Sequence, residues 1–153
     1  MNMPRRIAFI LLAALLAVGA LCAQSNERMD ELLAQPVARL DSAAYMILSA
    51  AGAIPEEASP DEAFAALQEK AWLKGERAPE DGLSVGELCF VLMKALNLKG
   101  GLFYSIFPGP RYAYRDMVYR EVVSSQTPSG KRASGEDVVR ALRNALELKG
   151  GAE

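Results

Sequence analysis

The side chains that most often do chemistry are scarce in this chain. Its 153 residues include no histidine, which removes the commonest general base, any serine–histidine pair and most zinc sites. The two cysteines are Cys22 and Cys89. Cys89 lies in the apolar run ELCFVLM, where it reads as a small packed hydrophobe rather than a nucleophile. Adjacent carboxylates occur at Glu80–Asp81 and Glu136–Asp137, and at helix ends such pairs compensate the helix dipole. The stretch EDGLSVGE imitates a calcium loop only until its register is counted. With Gly82 in the sixth position, Arg77 stands first and Pro79 third, and the twelfth position falls on Leu88 rather than Glu87. Carboxylates are required at those places, so the calcium reading fails. No catalytic residue, metal site or cofactor is expected.

A contact surface is a better candidate. The segment GLFYSIFPGPRYAYRD carries Phe103, Tyr104, Phe107, Arg111, Tyr112, Tyr114 and Arg115, a mixture suited to recognising a protein or a sugar. Leu102 and Ile106 add to an apolar content unusual for a connection, so the segment must dock or form an exposed patch with a partner. The other reading is that these rings fill the gap between two helical units, with Phe107-Pro108-Gly109-Pro110 as a rigid corner.

The elements that position these residues begin after a leader. Arg5 and Arg6 precede the uncharged run Ile7–Ala23, and CAQSNE follows. This is the layout of a secretory signal peptide, cleaved after Ala23. The alternative is a bacterial lipoprotein acylated on Cys22, although Leu21 stands where such sites carry a small residue. The exported chain would occupy the periplasm or cell envelope of a bacterium, and export without a disulfide framework suits that compartment. Its membrane contact would be limited to the leader or the lipid. Charges of both signs are interspersed, so no basic stripe for nucleic acid is present.

Residues 24–36 form a polar lead. Val37–Ala51 and Leu88–Leu98 are apolar on most sides and should be central. Ser59 or Asp61 can cap a helix running through DEAFAALQEKAWLK to a stop at Gly75, with Pro60 in its first turn. Ser84 with Glu87 is a capping box, and that helix should stop at Lys99-Gly100-Gly101. A helix over RYAYRDMVYREVV precedes Ser134, which caps a last helix with one apolar face. No run alternates at period two. The expectation is an all-α domain of about five helices in one compact bundle.

The two closing segments, SVGELCFVLMKALNLKGG and SGEDVVRALRNALELKGG, align without a gap at an offset of fifty residues. The offset continues upstream, pairing Ala63-Phe64 with Ala113-Tyr114. Two tandem helix–loop–helix units, about 61–101 and 111–151, are the economical reading. A half-unit at about 37–54 precedes them when Ala51 is aligned with Ala95. Each unit resembles an S-layer homology (SLH) motif: a short helix, a loop with glycine and proline, and a longer helix opening on a cap sequence. The resemblance covers residues 38–148 and implies a helical spindle that attaches an exported, non-catalytic protein to a cell-wall polymer or an envelope protein. Ser84, Glu87, Ser134 and Asp137 match the motif's cap positions. The matching stretches LSVGE and ASGED lack the motif's arginine, so glycan binding by that arginine does not carry over.

Overall fold

The structure, a computed structural model, describes residues 26–151; the expected leader and Cys22 lie outside them. The described residues are helical: α1 (residues 26–33), α2 (Leu40–Ala50), α3 (Pro60–Glu69), α4 (Val85–Ala95), α5 (Leu102–Ile106), α6 (Pro110–Tyr119) and α7 (Gly135–Gly150). The all-α expectation holds, with seven helices rather than five. The additions are α1, within the polar lead, and α5, inside the segment read as a connection. None of the described helices is long and apolar enough to cross a membrane.

The long helices α2, α4 and α7 touch one another, while α3 packs on α2 and α6 packs on α4. Sequence explains which helices lie deepest. In both α2 and α4, eight of eleven residues are buried, whereas α7 buries five of sixteen along one stripe. Three helices begin on capping boxes, Ser59 with Glu62, Ser84 with Glu87 and Ser134 with Asp137, each closed in both directions. These boxes satisfy amide groups that a helix start leaves without partners.

The starts of the three long helices are joined by a ring of backbone hydrogen bonds. Ala38 N–H donates to the Ala133 carbonyl at 2.8 Å, Ala133 N–H to Leu83 at 2.8 Å, and Leu83 N–H to Ala38 at 3.3 Å. A second set lies beside it, from Leu40 to Asp81, Val85 to Lys131 and Gly135 to Gln35. Residues 38, 83 and 133 are therefore equivalent in place. The spacing from the first to the second is 45, one residue more than the alignment of Ala51 with Ala95 assumed. The helix ends obey the same spacing: Ala53 N–H donates to Leu48, and Leu98 N–H donates to Met93.

The stop signals differ from expectation. α3 ends at Glu69, short of Gly75, because Ala71 turns left-handed (φ 49°), and α4 ends at Ala95 because Asn97 does so (φ 53°). Asparagine tolerates that conformation better than most residues. α6 ends in the same way, with Glu121 at φ 60°. The two LKGG stretches are consequently not equivalent. Leu98–Gly101 has already left the helix, whereas Leu148–Gly150 is still helical. The residue matching Asn97 is Glu147, which continues the helix. Gly100 has a different purpose from Gly150: a side chain there would lie 2.2 Å from the Tyr104 ring, while Gly150 faces open space.

Candidate functional site

The structure divides the seven aromatic and basic residues of the 103–115 segment into two groups. Tyr104 is core, with its ring edge-on to Phe90 at 6.3 Å. Tyr114 is half-buried and its hydroxyl donates to the Thr127 carbonyl at 2.8 Å, pinning the loop before α7. Phe103 and Phe107 are 61 % and 62 % exposed, and both rings lie against Tyr112, at 6.0 and 6.5 Å between centroids. Arg111 and Arg115 are exposed beside them. Two tyrosines fill a gap between helices, as one sequence reading expects, while Phe103 and Phe107 with Arg111 and Arg115 face outward around a half-buried Tyr112. The outward face is extended by Leu102 and Ile106, at 72 % and 56 % exposure.

A cleft of about 520 Å³ adjoins this corner. Its walls are Lys70, Trp72 and Lys74 after α3, Glu87, Phe90 and Lys94 from α4, and Pro108–Pro110 before α6. The early stop of α3 makes it, since the chain reverses at Ala71 and brings Trp72 to the rim. The Lys70 ammonium lies 5.3 Å from the centre of the Trp72 ring, and that of Lys94 lies 5.6 Å from Phe90. Such pairs hold cations over ring faces. Glu87 is spoken for. It accepts from Ser84 N–H at 2.9 Å and from Arg77 at 2.7 Å. Burial pushes its carboxyl up, but Ser84 and Arg77 outweigh this and hold the pKa below the usual range. The cleft was not foreseen, because its walls come from three separate stretches; the pairing of Trp72 with neighbouring lysines was the one signal available.

The other charges are structural. Asp41 is buried and bound by Arg39 at 2.6 and 3.2 Å, and by the Ser42 amide at 2.6 Å. Burial again opposes ionisation there, and the Arg39 and Ser42 contacts win, so its pKa is lowered. Asp137 behaves likewise, with Ser134 and Lys131 outweighing burial. The Cys89 thiol is fully buried, and burial pushes it up to about 12. It is therefore neutral and packed, not a poised nucleophile. Among the described residues, no group of three or more acidic or cysteine side chains is placed to hold a metal ion.

The places where an SLH motif carries its arginine are Val85 and Gly135, both buried. A side chain on Gly135 would come within 1.7 Å of the Leu32 carbonyl oxygen of α1, so the position admits nothing larger than glycine while α1 stays in place. Comparison with known proteins found no matching family model, no matching curated protein and no matching solved structure.

Proposed function

We propose that this is an exported, non-catalytic protein of the bacterial envelope whose SLH-like helical module binds a cell-wall polymer. The observation that carries the reading is the cleft, where Trp72 lies beside Lys70, Lys74 and Lys94, with the buried Phe90 in the wall. Rings of this kind stack on the apolar faces of sugars, and lysines at the rim attract acidic substituents. They would supply the positive charge that Val85 and Gly135 cannot. The SLH likeness is supported by the ring of hydrogen bonds joining residues 38, 83 and 133. In that reading α1–α2, α3–α4 and α6–α7 are three units, the first with an abbreviated loop.

Retention on purified cell-wall material tests the proposal. Wild-type protein should be retained, and Trp72→Ala with Lys94→Ala should weaken retention roughly tenfold or more. Wild-type protein that passes through unretained would sink it. The runner-up is a lipoprotein, acylated on Cys22, that serves as an accessory in a periplasmic or outer-membrane assembly. The intact mass of the native protein separates an acylated Cys22 from a free Gln24 terminus.

A further inference from the structure

α5 turns its apolar bulk toward water. Leu102 and Ile106 make one row a helical turn apart, Phe103 and Phe107 make the other, and all four are more than half exposed. Tyr104 is its one buried residue, the reverse of an ordinary globular helix. The charge around this ridge is mostly positive. Between Glu87 and Asp116 the chain carries Lys94, Lys99, Arg111 and Arg115 and no carboxylate, in a protein of net charge −2. Asp116 is the one carboxylate at this edge, its Oδ2 accepting from Gly101 N–H at 2.6 Å at the start of α5. Arg111 and Arg115 are exposed one turn apart on α6, flanking the Tyr112 ring on which Phe103 and Phe107 rest.

We infer that the α5 edge is a membrane-contact element, inserting Leu102, Phe103, Ile106 and Phe107 into the interface of a bilayer that carries anionic phospholipids. Four such side chains present on the order of a few hundred Å² of apolar surface. A stable protein interface buries roughly 800 Å² on each partner, so the ridge is small for that use. Shallow insertion needs no such area when lysines and arginines draw the same edge to anionic headgroups. This contact is separate from the leader and from any lipid on Cys22, and it does not rest on the wall-binding reading.

The chain from Gln24 onward keeps every core residue and can be floated with vesicles of phosphatidylcholine alone or mixed with phosphatidylglycerol. The expected result is binding to the mixed vesicles that weakens as salt is added. Phe103→Ala with Phe107→Ala should reduce it roughly tenfold or more, as should Arg111→Glu with Arg115→Glu, each with an unchanged melting temperature. Failure to float with either vesicle, or equal binding by the double phenylalanine variant, would overturn the inference. So would dimerisation without vesicles that the same variant abolishes, which would assign the ridge to a second copy of the chain.

Discussion

The meeting point of the three long helices and the α5 edge lie in one small domain and treat the same kinds of residue in opposite ways. At the meeting point, backbone amides pair across helix starts, and Ala38, Leu83 and Ala133 are at most 2 % exposed. No buried side-chain oxygen or nitrogen among the described residues lacks a partner. At α5, one tyrosine enters the core while four large apolar neighbours stay in water. A chain that closes its helix starts so thoroughly does not expose four apolar side chains for want of burial capacity. The difference marks where burial holds the fold and where, on the inference above, contact with a bilayer takes over.

The sharpest way to break the closed region is through its glycine. Gly135→Ala forces a methyl group against the Leu32 carbonyl, 1.7 Å away. Because backbone cannot yield as a side-chain tip can, a loss of about 3 kcal/mol is expected, at the upper end of overpacking costs. Gly109→Ala has open space around it and an extended φ of −178°, so it should cost only about 0.5 to 1 kcal/mol, the preference for glycine over alanine at a helix N-cap. Denaturant midpoints of the two variants measure the contrast. Leu92→Ala, at a fully buried site of α4, should also lose about 3 kcal/mol through the cavity it leaves.

Acid tests the charged collar around the same helix starts. Asp41, Glu87 and Asp137 all have folded-state pKa values held below the ordinary ones. Groups of this kind add stability that is complete above the unfolded-state pKa, about 4, and is lost as pH falls through the lower folded value. Stability should therefore be level at neutral pH and decline below about pH 4. Asp41→Asn should flatten part of that decline and cost about 1 to 2 kcal/mol at neutral pH, limited because Arg39 is half exposed. Urea midpoints across pH read both effects. Ser84→Ala removes one capping box and should cost about 1 kcal/mol, seen as a modest drop in melting temperature.

The starts of α3, α4 and α7 were legible because each rests on a capping serine. A serine followed by an acid three residues later announces α4, and apolar residues on every side of α2 and α4 announce their depth. The stops were less legible. Ala71, Asn97 and Glu121 turn left-handed without being glycine, and the conspicuous Gly100 serves the Tyr104 ring instead. Tertiary packing decides those turns, and a local pattern does not record it. α5 escaped notice because five residues are too few to show a helical period. The aromatic corner was found by composition, yet only the fold separates the buried Tyr104 and the half-buried Tyr112 and Tyr114 from the exposed Phe103 and Phe107. The cleft needed Trp72 beside Pro108–Pro110, a proximity that arises only once α3 and α6 pack on their long helices.

The smallest expected effect is the most telling about α5. Leu102→Ser and Ile106→Ser replace apolar side chains that are already mostly in water, so folding gains nothing from them and stability should move by less than about 0.5 kcal/mol. Tyr104→Ala, two residues from each, empties a buried site against Phe90 and should cost about 3 kcal/mol. Thermal melts of the three variants set the two faces of one short helix side by side. A loss at Leu102 or Ile106 comparable to that at Tyr104 would mean that the ridge is a packing surface, and its apolar side chains would then need no partner. A null effect there leaves these side chains with no role in holding the fold, the result that the membrane-contact inference requires.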